Sequence, residues 1–138
     1  MKNRTMSPST VTPVLVYPNV REAIDWLCGA FGFAERWEAK GHRAQLVFDG
    51  GTVVVVDGQA AGGCGAHSLM VRVSNVDSHH ARAREWGASI LTEPADYPYG
   101  ERQYTAEDFG GHRWTFSQSI ADLLPEDWGG NSGPAMHG

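Results

Sequence analysis

Clusters of positive charge are missing from this chain. Its 11 Lys and Arg are outnumbered by 16 Asp and Glu, for a net charge of −5, and no Lys/Arg run breaks that balance. This speaks against a nucleic-acid partner, because neutralising phosphates needs a basic face. Long apolar runs are missing too: none approaches the ~20 residues of a membrane span, so no membrane partner is expected. The N-terminus lacks the apolar stretch of a secretory leader. Cysteine is scarce. Cys28 falls in a helical pattern and Cys64 in a glycine-rich stretch, without metal-type spacing. Free thiols in a reducing cytoplasm are the plain expectation. Spacing shows no Ser/His/Asp or Cys/His arrangement, and no glycine-rich loop follows a strand and opens a helix.

With 41% hydrophobic and 20% charged residues, the composition is that of a globular domain. Its most informative positive feature is an internal repeat. Thr12-Pro13-Val14-Leu15-Val16-Tyr17-Pro18-Asn19-Val20 aligns at an offset of 56 with Ser68-Leu69-Met70-Val71-Arg72-Val73-Ser74-Asn75-Val76. Gly50-Gly51-Thr52-Val53-Val54-Val55 answers Gly110-Gly111-His112-Arg113-Trp114-Thr115. A repeat defines the folding unit before any single motif does.

Residues 11–17 are β-branched and apolar and read as a buried strand. Asn19 is placed to cap a helix, with Val20, Ala23, Ile24, Leu27 and Phe31 at helical spacing and Gly32 as the stop. Strands over 34–38, 43–48 and 52–56 complete a βαβββ unit, with Asp49-Gly50-Gly51 as the last turn. The second half repeats the order: a strand at 68–73, a helix at 76–86 stopped by Gly87, and strands at 89–92, 102–107 and 112–118. The expected fold class is α+β, two βαβββ modules forming a curved mixed sheet around a cleft. The expected organisation is a loose end over 1–9 and a single domain over 10–118. That domain comprises module one (10–57), a glycine-rich linker (57–66) and module two (67–118). A tail over 119–138 opens a helical turn at Pro125, and its Leu123, Leu124 and Trp128 need cover; residues 131–138 carry no pattern of regular structure.

Two βαβββ modules in this length resemble the vicinal-oxygen-chelate superfamily of glyoxalases, bleomycin-resistance proteins and dioxygenases. Val20-Arg21-Glu22-Ala23-Ile24-Asp25-Trp26-Leu27 with Ala30-Phe31-Gly32-Phe33 resembles its first helix. Tyr99-Gly100-Glu101-Arg102 with Asp108-Phe109-Gly110-Gly111-His112-Arg113-Trp114 is similar to a stretch of its PhnB-like subgroup. The resemblance implies a glyoxalase/bleomycin-resistance fold and a small-molecule ligand in the cleft, commonly at a homodimer interface. It also implies four places for metal ligands, on the first and last strand of each module. Here those places fall on Thr12, Ser68, Thr115 and either Val54 or Val55, depending on register. Hydroxyls and a valine do not make a site for Zn²⁺, Fe²⁺ or Ni²⁺, so neither metal nor other cofactor is expected.

Strand alternation puts Arg72 on the face of Ser68, and Arg113 on that of Thr115. Gln45 is open to the cleft or to solvent, and the resemblance, whose family often carries Glu there, favours the cleft; Trp37, Tyr97, Tyr99 and Tyr104 offer flat surfaces with polar handles. Arg102 is equally readable as a ligand contact or as an ion-pair partner of Glu101. The expected ligand-binding set is therefore Trp37, Gln45, Ser68, Arg72, Tyr97, Tyr99, Arg102, Tyr104, Arg113 and Thr115, with no assigned catalytic residue. The leading function is metal-independent small-molecule binding in the cytoplasm. A metal-dependent lyase, isomerase or dioxygenase using His42, His67, His112 or Glu101 is one alternative. A regulatory partner-binding module docking through Leu123, Leu124 and Trp128 is another.

Overall fold

A computed structural model describes residues 1–59 and 67–137. Most of the expected linker, Cys64 included, lies outside the described residues. Module one runs β1 (Val14–Tyr17), α1 (Val20–Phe31), β2 (Ala34–Ala39), β3 (Arg43–Phe48) and β4 (Gly51–Asp57). Module two repeats it as β5 (Leu69–Arg72), α2 (Val76–Glu85), β6 (Ser89–Tyr97), β7 (Glu101–Glu107) and β8 (Arg113–Ser119). The expected α+β fold of two βαβββ modules is present, its strands divided into two four-stranded mixed sheets. Their orders are β1-β4-β3-β2 and β5-β8-β7-β6. In each sheet the first strand pairs in parallel with the last, and the other pairs are antiparallel.

Local chemistry explains the boundaries. Asn19 Oδ1 accepts from Glu22 N at 2.9 Å, and Asn75 Oδ1 from Ser78 N at 3.0 Å, so the same cap opens both helices. Each is worth about 1 kcal/mol. Gly32, at φ 83°, ends α1 in the left-handed region that favours glycine. β1 begins at Val14 rather than residue 11, after Pro13, which has no N–H for a ladder. β6 continues to Tyr97, well past the expected end at 92. As an edge strand with two register shifts, it tolerates Pro94.

One core serves both modules. The apolar stripe of α1 is buried, and Phe31 packs on Trp114 and Phe116 with ring centroids 5.3 and 4.7 Å apart. The helices meet where α1 has least bulk: a Cβ on Gly29 would lie 2.3 Å from the Trp86 ring. Arg82 of α2 donates to the carbonyls of Gly29 (2.6 Å) and Cys28 (3.1 Å), supplying the cation that the last turn of α1 lacks. In the tail, residues Pro125–Trp128 form a short 3-10 turn, and Trp128 meets the Tyr99 ring edge-on while Leu123, Leu124 and Trp128 stay partly exposed. A second such turn covers Pro134–His137, where no regular structure was expected.

A buried carboxylate pins the modules together. Asp108 accepts from Tyr17 OH of β1 at 2.6 Å and from Trp114 Nε1 of β8 at 3.0 Å. Its other oxygen accepts from the backbone N–H groups of Gly110 and His112, at 3.0 and 2.9 Å. Hydrogen bonds to a charged group contribute about 1.5–3 kcal/mol each, and leaving such donors buried and unmet costs comparably. Asp108→Ala is expected to lower the unfolding free energy by about 3 kcal/mol or more, and Tyr17→Phe by about 1.5 kcal/mol. Urea denaturation of both variants and the double variant checks this, the double falling short of the sum because the two share one bond.

Candidate functional site

Each sheet has a helix-packed face and an outward face, and the pairing register sorts the residues between them. Val14 pairs with Val54, and Met70 with Thr115, so Thr115 corresponds to Val54. Val55 lies in the helix-side core. The outward faces therefore carry Thr12 and Val54 in module one, Ser68 and Thr115 in module two.

Module one's outward face is built around Gln45, which is fully buried. A β-bulge interrupts the β2–β3 register: Glu35 opposes Leu46, but Trp37 opposes Gln45, leaving Arg36 as the extra residue. Arg36 and Trp37 thereby deliver their N–H groups to the same place. Arg36 Nη1 donates to Gln45 Oε1 at 2.6 Å and to Thr5 O at 2.8 Å, its Nη2 to Arg4 O at 2.6 Å, and Trp37 Nε1 to Thr5 O at 2.8 Å. Residues 4–9, expected as part of a loose end, thus cross this face as a strap. Ser7 and Ser9 hydroxyls meet Thr52 Oγ1, Ser9 at 2.8 Å, and Ser9 Oγ donates to Gly50 O at 3.1 Å. Neither Arg36 nor the strap was identified from sequence; no periodicity announces a bulge.

Module two's outward face carries a chain of hydrogen-bonded polar groups. Ser117 Oγ donates to Glu101 Oε1 at 2.7 Å and accepts from Gln103 Nε2 at 3.0 Å, while Tyr99 OH donates to Gln103 Oε1 at 3.0 Å. Thr115 and Thr105 hydroxyls share a 3.0 Å bond. Tyr97 stacks on Tyr99 with centroids 5.5 Å apart. Arg72 Nη1 donates to Ser119 Oγ at 3.1 Å, and Ser68 and Arg113 are exposed. A groove of about 430 Å³ lies between β5 and the β3–β4 hairpin, reached by Ser68, Met70 and Arg72 on one side and Thr52 and Val11 on the other.

Two members of the expected set are elsewhere. Arg102 points to the helix side and pairs with Asp77 (3.0 Å) and Asp96 (2.9 Å), not with Glu101. Tyr104 is fully buried beneath α2, opposite Phe116 in the β7–β8 register. Its hydroxyl donates to His79 Nδ1 at 2.5 Å, and His79 Nε2 donates to Phe31 O at 3.0 Å. Burial pushes the Tyr104 phenol well above its ordinary pKa, and burial first of all lowers that of His79. Tyr104 is thus a core residue of the helix layer, with half-buried His79 packed beside it.

The donor chemistry for a metal is thin. No three His, Cys, Asp or Glu side chains converge among the described residues. His42 is tied to Asp57 at 2.8 Å and His112 to Val16 O at 2.9 Å, while Glu101 accepts from Ser117. Burial raises the Cys28 thiol pKa, with a smaller push from Glu35, which disfavours a nucleophilic thiolate.

The Glyoxalase/Bleomycin resistance protein/Dioxygenase superfamily matches residues 9–116. The chain belongs to that superfamily. TioX from Micromonospora sp. ML1 is 31% identical, superposes with a TM-score of 0.68, and is covered completely by 84% of this chain. The fosfomycin resistance protein FosX of Listeria monocytogenes shares the fold at 15% identity and a TM-score of 0.70, over 88% of this chain and 97% of its own. Uncharacterised proteins of Mycobacterium bovis and Mycobacterium tuberculosis are 25% identical over 129 residues. They cover 82% of this chain and 85% and 76% of themselves.

The helix layer of this chain carries a pH signature in α2. With its folded pKa below the ordinary 6.5, His79 binds its proton more readily in the unfolded chain. Its contribution is therefore complete above 6.5 and lost as pH falls toward the folded pKa, levelling off below it. Melting curves between about pH 8 and 5 are expected to show that decline in the wild type and a shallower one in His79→Gln.

Proposed function

We propose that this chain is a metal-independent small-molecule-binding protein of the glyoxalase/bleomycin-resistance type, within the PhnB-like subgroup. The observation that carries this reading is the set of side chains at the four places where the family would hold a metal. Thr12, Ser68 and Thr115 offer hydroxyls and Val54 only methyl groups, and Thr115 is already bonded to Thr105. Zinc, iron and nickel favour imidazole, thiolate or carboxylate, so this donor set does not fit them. What the outward faces do offer is polar and aromatic: Trp37, Gln45, Tyr99 and Gln103, with Arg72 lining a groove of small-molecule size.

The cleft is completed across a homodimer. Hydrogen-bonded strands stay within each sheet, and apolar side chains stand bare on both outward faces, Val14 at 52% and Met70 at 68% exposure. A second copy gives them cover. A cytoplasmic setting suits the unpaired Cys28.

Two measurements check this reading. Metal analysis of untagged protein after dialysis is expected to find no stoichiometric zinc, nickel or iron; a full equivalent of any of them overturns metal independence. A thermal-shift panel of metal ions and aromatic or anionic metabolites is expected to register organic molecules and not the ions, with about 2.7 kcal/mol of stabilisation for a ligand at 100 times its dissociation constant. Arg102→Ala and Tyr104→Phe are expected to leave that ligand response unchanged.

A further inference from the structure

Module one's outward face holds an unmet donor. Gln45 is fully buried; its Oε1 accepts from Arg36, but its Nε2 has no hydrogen-bond partner. Buried side-chain amides normally use both ends. Gln103 does: its Nε2 donates to Ser117 and its Oε1 accepts from Tyr99. The same fold thus satisfies one buried glutamine and leaves the other waiting for an acceptor.

Arg36 is also incompletely matched. Among the described residues, ion pairs are made by Arg21, His42, His80 and Arg102, and none by Arg36. Its guanidinium instead directs Nη1 and Nη2 at two neutral backbone oxygens, Thr5 O and Arg4 O, with Trp37 Nε1 joining on Thr5 O. Two oxygens side by side before the two ends of a guanidinium reproduce the fork that a carboxylate accepts, and a charged acceptor makes roughly twice as strong a bond as a neutral one. The bulge at Arg36 is what allows it and Trp37 to converge.

The geometry points to Arg36, Trp37 and the free amide of Gln45 as a carboxylate-binding cradle, in which the backbone of residues 4 and 5 is a stand-in that an organic carboxylate displaces. Every group it presents is a donor, so it selects acceptor oxygens and rejects ammonium groups. The strap and the ligand compete for one place, so binding frees residues 4 and 5. This rests on the small-molecule reading above and adds to it the ligand's chemical class and the half of the cleft that reads it.

The test uses the full chain in solution with three probes of matched size: benzoate, neutral benzamide and benzylammonium. Benzoate is expected to shift the Trp37 indole N–H resonance, assigned by its loss in Trp37→Phe, and to speed trypsin cleavage after Arg4. Benzamide should act more weakly and benzylammonium not at all. Arg36→Lys, which keeps the charge and loses the fork, is expected to weaken benzoate about tenfold, the worth of one charge-assisted bond. Gln45→Met gives an independent loss of affinity should the first variant fold poorly. Benzoate binding unchanged in both variants, or perturbing only β5 to β8, overturns the cradle and leaves small-molecule binding standing. If neither these probes nor the metabolite panel binds, both readings fall.

Discussion

The Asp108 carboxylate is the contact on which the architecture turns. It lies in the β7–β8 loop of module two, yet one of its partners is Tyr17 at the end of β1 in module one. The same group fixes the turn at Gly110 and His112 and orients Trp114, whose ring floors the shared core under Phe31 and Phe33. A buried acceptor this fully engaged sets the position of the β7–β8 hairpin relative to β1, and with it the relation between the two outward faces. The stretch from Asp108 to Trp114, which carries part of the family resemblance, has a structural meaning before any functional one.

Much of the fold was legible because it rests on local rules used twice. Asn19 and Asn75 sit at equivalent places in the repeat and make equivalent caps, and Gly32 stops α1 for the reason glycine usually does. The apolar stripe of α1 announced its buried face. Long-range register was less accessible. Whether Val54 or Val55 matched Thr115 depended on how β1 pairs with β4, which alternation alone leaves open.

The candidate site was legible only in part, for the same reason. Gln45 and Trp37 were both assigned to the cleft, but the reason they stand side by side is a one-residue bulge with no sequence signature. Tyr104 was assigned to the cleft because an aromatic hydroxyl suits a pocket; pairing with Phe116 instead places it under α2. Arg102 found its carboxylates on α2 and β6, a choice made by tertiary proximity rather than by its neighbour Glu101. The strap was missed because residues 4–9 bind through backbone carbonyls and small hydroxyls, groups that leave no trace in hydropathy.

The seam between the helices makes each half depend on the other. Gly29 admits Trp86, Arg82 covers the end of α1, and Phe31 reaches into module two, so neither half encloses its own core. A lone βαβββ unit would leave that seam bare, so a half-length chain would need a second copy to cover it. Two copies carried in one chain need not be identical. The Tyr17–Asp108 bond displays that freedom: the repeat places Val73 where the second tyrosine would stand, so the bond exists once where strict symmetry would have demanded it twice.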